Sequence, residues 1–213
     1  MKTVSNFDRI GEENAFAVLG RAGVLAAGGM DVINLGIGQP DFPTPENIVE
    51  AAVKALRDGH HGYTDATGIL PLREAVSADL HRRYNTEVSP ANVLVVPGGK
   101  VTMFTAILRF GEAGGDILYP DPGFPIYRSM IEYTGATPVA IPIREENGFA
   151  FYAAEALKLN GANTRLIMLN SPATHCGGIT PKAESDTWMT GRAVCTDGEH
   201  RLDDVQDRVT DPG

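Results

Sequence analysis

Apolar residues early in the chain recur at helical spacing. Phe16, Leu19 and Val24 fall three to five residues apart before Gly28-Gly29 ends the pattern, which predicts a helix within 14–30. Val32-Ile33-Asn34-Leu35 is a short extended segment leading into the turn-rich Gly36-Ile37-Gly38-Gln39-Pro40. A second helix is expected from about Pro45, carrying Ile48, Ala52, Val53 and Leu56, to near Gly59. A third is expected over Pro71–Tyr84, with proline in its first turn and Leu72, Ala75, Val76 and Leu80 on one face.

From Val93 the pattern changes. Val93-Leu94-Val95-Val96 is wholly apolar and predicts a strand buried on both faces. Pro97-Gly98-Gly99-Lys100 breaks it, and 101–110 reads as a helix. Strands are then expected at 116–119, 138–143 and 166–169, with helices at 127–133 and 153–159 between them. This alternation implies an α/β architecture with a largely parallel sheet. Beyond Ala183 the apolar period dissolves, and 186–213 is rich in Asp, Arg, Thr and Gly. The sheet is therefore expected to stop early.

With 213 residues the chain can bury a sizeable core. A formal net charge of -9 and a pI near 5.0 argue against nucleic acid or an anionic membrane as a partner. Acidity does not exclude an anionic ligand, because a local nest of backbone N–H groups binds phosphate whatever the net charge. Cys176 and Cys195 have neither metal-ligand nor disulfide-framework spacing, so no metal site is expected. The polar start Met1–Glu13 resembles no export signal, and no apolar run approaches a membrane span. The expected location is cytoplasmic.

Gly98-Gly99-Lys100 lies between an apolar strand-like run and a helix. Ligands of open α/β sheets gather at the carboxyl ends of strands, and the N–H groups of a helix start attract phosphate. Alone, a strand-to-helix turn containing Gly-Gly is more often only a turn.

Several ordered blocks give that turn a context. Ile33–Pro45 reads I-N-L-G-I-G-Q-P-D-F-P-T-P, Tyr63–Glu74 reads Y-T-D-A-T-G-I-L-P-L-R-E, and Asp121–Tyr127 reads D-P-G-F-P-I-Y. Asn170–Pro181 reads N-S-P-A-T-H-C-G-G-I-T-P. Together, over roughly 14–184, they resemble the class I/II, fold-type I aminotransferases that use pyridoxal 5'-phosphate, of the aspartate/aromatic aminotransferase kind. The resemblance implies a three-layer α/β sandwich around a mainly parallel sheet, incomplete here. It implies an N-terminal arm and helix over 1–35, a cofactor-binding large-domain portion over 36–184, and a degenerate tail over 185–213. It also implies amino-group transfer between an amino acid and a 2-oxo acid in a homodimer. Gly38 would then serve the substrate carboxylate. Gly99 and Lys100 would cradle the cofactor phosphate, Tyr63 would reach the phosphate of the neighbouring subunit, and Phe124 would stack on the pyridine ring.

The later blocks depart from that pattern. Where the family writes N-S-P-x-N-P-T-G-G, this chain has Thr174-His175-Cys176 in place of Asn-Pro-Thr. Thr174 then stands where the family's Asn bonds the cofactor ring oxygen. The family's S-D-E-x-Y block, with its carboxylate for the pyridine nitrogen, is not found. Ser185–Val194 echoes the family's lysine block, S-K-T-[WFY]-A-M-T-G-W-R, in shortened form. That alignment puts Asp186 at the position of the lysine that bonds the cofactor aldehyde, and Arg192 at the phosphate-binding arginine. Sequence amounting to two strands would be missing between Ala183 and Ser185, through truncation or internal deletion. No catalytic residue is thus assigned, and covalent attachment of the cofactor is not expected. Three readings stand: an impaired aminotransferase, a non-catalytic relative that binds pyridoxal phosphate, another phosphate or a protein partner, and the product of a damaged gene.

Overall fold

Among the described residues, three parallel strands carry the core. The computed structural model describes residues 4–11, 14–173, 175–184 and 186–187. They fall into two compact units, one of Met1–Gly11 with Leu70–Gly213 and one of Glu12–Ile69.

The larger unit contains helix α3 (Leu70–Tyr84) and helix α4 (Gly99–Phe110), then strand β1 (Asp116–Asp121) and helix α5 (Ile126–Thr134). Strand β2 (Thr137–Pro142), helix α6 (Ala153–Leu159) and strand β3 (Thr164–Ile167) follow. The sheet order is β2-β1-β3, with both pairings parallel. Parallel neighbours need crossover connections, and α5 and α6 supply them.

Side-chain alternation along the central strand explains the layers. Ile117 and Tyr119 pack with Ile107 of α4 and with Tyr127, Met130 and Ile131 of α5. Leu118, between them in sequence, packs with Ile141 of β2, Ile143, Phe151, and Ala153 and Ala156 of α6. Successive residues of a strand face opposite ways, so β1 must be apolar throughout to be covered on both sides. Helices α4 and α5 form one outer layer and α6 the other, which is the expected three-layer α/β sandwich. Each fully buried Ile or Leu contributes roughly 1.5–3 kcal/mol of apolar burial.

The smaller unit holds helix α1 (Asn14–Ala27) and helix α2 (Glu46–Arg57), joined by an irregular segment. Helix α2 buries none of its residues, and Ile33 and Leu35 in the segment are almost wholly exposed.

One expected strand is absent. Residues 93–96 take no part in the sheet, and Leu94 is 61% exposed rather than buried on both faces. A strand exists only by pairing, and among the described residues no neighbouring strand lies along 93–96. The third strand begins two residues before its expected start and ends at Ile167. Met168 N–H still donates to Leu118 O at 2.9 Å. Helix α4 begins at Gly99, two residues before the apolar period that announced it.

Candidate functional site

The order β2-β1-β3 contains a change of direction. From β1 the chain crosses to β2 on one side of it, then returns to place β3 on the other. At such a switch point the connections leave the carboxyl ends of adjacent strands in opposite directions, and the crevice between them is where open α/β sheets bind ligands. Here that switch point is at the carboxyl ends of β1 and β3. The loop after β1 is Pro122–Pro125 and the loop after β3 runs through Asn170–Pro181.

Side chains from both loops meet there. The Phe124 ring runs nearly parallel to the His175 imidazole, at 15° with centroids 6.1 Å apart. Phe124 also contacts Tyr127 at 5.9 Å and 60°. The Lys100 ammonium stands 5.4 Å from the centre of the same Phe124 ring, within cation–π range. Three segments distant in sequence thus converge on one half-buried aromatic ring.

Local backbone chemistry sets each member in place. Gly98 caps α4 at φ 90 and ψ 155, a conformation that side chains disfavour, and its carbonyl accepts from Val101 N–H at 3.3 Å. This turn opens a twelve-residue helix with Lys100 in its first turn, where the first N–H groups have no intrahelical acceptors. Phe124 is fixed from beneath by packing against the buried cluster that includes Tyr127. The loop after β3 closes on itself. Ala173 N–H donates to Gly178 O at 2.8 Å, Gly177 N–H to Ala173 O at 2.8 Å, and Thr180 N–H to Ser171 Oγ at 3.0 Å. Cys176 packs against the second core cluster, while its neighbour His175 is exposed on the Phe124 side. Burial raises the Tyr127 phenol above its ordinary 10.0. Burial, then the Asp121 carboxylate, does the same for Tyr119. Both rings beneath the site are therefore neutral at physiological pH.

Of the residues singled out by sequence, Gly99, Lys100 and Phe124 lie in this neighbourhood. Gly38 and Tyr63 belong to the smaller unit. Nothing lies within 4 Å of where a Gly38 side chain would begin, and Tyr63 is fully exposed. Asp186 lies in a short helical stretch and accepts a hydrogen bond from Lys182 Nζ at 2.8 Å, with both side chains exposed. Thr174 and Arg192 lie outside the described residues. His175 was not among the expected ligands, because in sequence it registers only as a departure from the family's loop. The signal that finds it is positional: its loop follows the strand that neighbours β1. Among the described residues no cluster of His, Cys, Asp and Glu could hold a metal ion, and no helix is long and apolar enough to cross a membrane.

The comparisons with known proteins point one way. Residues 30–189 match the family model for "Aminotransferase class I and II". The chain is 40% identical over 157 residues to the aspartate aminotransferase of Pyrococcus horikoshii, covering 74% of this chain and 40% of that protein. It is 33% identical over 167 residues to a probable aspartate/prephenate aminotransferase of Aquifex aeolicus, covering 78% and 42%. Among solved structures, an aspartate aminotransferase from Thermus thermophilus with maleate superposes with a TM-score of 0.85 at 27% identity, covering 91% of this chain and 51% of that one. The chain thus spans less than half the length of these curated relatives and about half of that solved chain.

Proposed function

Because this chain belongs to the class I and II aminotransferases, we propose that the crevice at the carboxyl ends of β1 and β3 binds pyridoxal 5'-phosphate. The observation that carries this reading is the convergence of Lys100, Phe124 and the loop after β3 at the sheet's switch point. The chemistry of these groups fits the two ends of the cofactor. A phosphate suits the start of α4, where helix N–H groups and glycine permit close approach. Nothing stands within 4 Å of where a Gly99 side chain would begin, which leaves space for that approach. A planar pyridine ring suits the face of Phe124. When bound, the cofactor supplies an aldehyde for amino groups and a ring that withdraws charge from the substrate Cα.

The residues of this chain hold and orient. Gly99 and Lys100 would anchor the phosphate, with Thr174 and Arg192 as the further cofactor contacts expected from the resemblance. Phe124 would fix the ring plane. Gly38 would offer its N–H to a substrate carboxylate. The ligands proposed are amino acids and 2-oxo acids. The relatives named for aspartate, and the structural neighbour solved with maleate, make dicarboxylates the first to test.

Transamination by this polypeptide is proposed to be impaired. On the resemblance of Ser185–Val194 to the family's lysine block, Asp186 would take the place of the lysine, and a carboxylate cannot bond an aldehyde as an amine does. Asp186 accepts a hydrogen bond from Lys182 Nζ at 2.8 Å, and both side chains are exposed. A homodimer is also proposed, supported by fully exposed Tyr63 and by the exposed apolar residues Ile33, Leu35 and Phe42.

The test is a titration of the purified chain with pyridoxal phosphate, followed by its absorbance and competed with inorganic phosphate. Saturable binding displaced by phosphate is expected. Absence of saturable binding would remove the proposal. Borohydride treatment of the loaded protein followed by peptide mass analysis is expected to find no lysine adduct. A stoichiometric adduct would refute the impairment.

A further inference from the structure

We propose that His175 is a cofactor-contact residue that provides a second aromatic surface opposite Phe124, so that a planar heteroaromatic ring is held between the two. This rests on the pyridoxal-phosphate reading above and adds to it a residue that the family pattern does not supply. Three observations carry it.

First, the imidazole and the Phe124 ring are nearly parallel, at 15°, although they come from loops about fifty residues apart in sequence. Second, their centroids are 6.1 Å apart. A ring held between two others needs about 7 Å, twice the optimal carbon–carbon separation of about 3.5 Å. The gap must therefore widen by at least about 1 Å. Third, the two partners differ in how firmly they are fixed. Phe124 packs on the buried cluster beneath it, whereas His175 is exposed at the tip of a loop whose backbone is braced on either side, at Ala173–Gly178 and Ser171–Thr180. The imidazole can turn outward by rotation about its own side-chain bonds without disturbing the ladder of β3. Phe124 acts as the fixed plate and His175 as the movable one.

Lys100 completes the arrangement at the phosphate end. Its ammonium already lies against the Phe124 ring, so a ligand with an aromatic ring and an adjacent phosphate meets a plate and a cation together. The ligand class is thus a planar heteroaromatic phosphate, with pyridoxal phosphate the member implied by the family.

Equilibrium dialysis of pyridoxal phosphate against the full chain and two variants, His175→Ala and His175→Phe, tests this. His175→Ala is expected to bind about 3- to 10-fold more weakly, the range of one aromatic pair. His175→Phe should retain most of the affinity. Inorganic phosphate should bind the parent and His175→Ala equally, because it meets the start of α4 and not the ring. Unchanged or tighter pyridoxal phosphate binding by His175→Ala overturns the inference while leaving the cofactor reading intact. A matching loss of inorganic phosphate binding also overturns it, because the loop and not the ring contact would then be responsible. Failure of the parent chain to bind pyridoxal phosphate overturns both. His175 is exposed, so both variants are expected to fold, and circular dichroism checks this.

Discussion

Replacing Gly123 by alanine probes how the crevice is built, because this residue joins β1 to the aromatic plate. A Cβ at Gly123 would lie 2.0 Å from the carbonyl oxygen of Pro120, 3.1 Å from its carbonyl carbon and 3.3 Å from Cδ2 of Tyr127. Pro120 belongs to β1 and stands opposite Ile141 of β2, so its carbonyl cannot move without disturbing the strand. Ordinary contact begins at 3.4 Å, and the backbone must therefore give by 1.4 Å at the closest atom. Overpacking of this kind costs about 1–3 kcal/mol. With a urea slope of about 1–3 kcal/mol/M, the unfolding midpoint should fall by roughly 1 M. Circular dichroism during urea titration measures it. Gly161→Ala is the control: nothing lies within 4 Å of its Cβ position and its φ is not in the left-handed region, so its midpoint should hold or rise slightly. Pyridoxal phosphate affinity should also fall in Gly123→Ala, since Phe124 is the next residue. A midpoint equal to that of the parent would refute the close approach of Gly123 to β1.

Two further outcomes follow from the core. Leu118→Ala removes the fully buried side chain that couples β1 to β2 and α6, and is expected to cost about 2–5 kcal/mol in the same urea titration. Buried Tyr127 keeps its proton in the fold above the pH at which an unfolded chain releases it, near 10.0. The native state then binds more protons than the unfolded one, so stability is fully present below about pH 10 and declines as pH rises through the folded value. Urea midpoints measured between pH 8 and 11 should show this decline, and Tyr127→Phe should lessen it, leaving the part due to Tyr119.

Much of the fold was legible because its signals are local. The helical periods of 153–159 and 127–133 emerged as α6 and α5, and the apolar run at 116–119 became the doubly covered centre of the sheet. The run at 93–96 carries the same signal yet forms no strand, because apolar character expresses a demand for neighbours and cannot supply them. Phe124 and Lys100 were singled out from motifs that lie apart in sequence, and the structure puts the two side chains in contact. His175 went unread for the opposite reason. Its place depends on β3 lying beside β1, which the order of strands along the chain does not reveal. The loop around it closes through backbone groups and Ser171, none of which lies at the tip that differs from the family's pattern.

Amide hydrogen exchange with and without pyridoxal phosphate tests the central claim most directly, because it reports where the ligand sits. Slowed exchange is expected at Gly99 and Lys100, at Phe124, and across 175–177, with little change along α6 on the opposite layer. Ligand-induced protection confined to other segments, or none at saturating ligand, would contradict it.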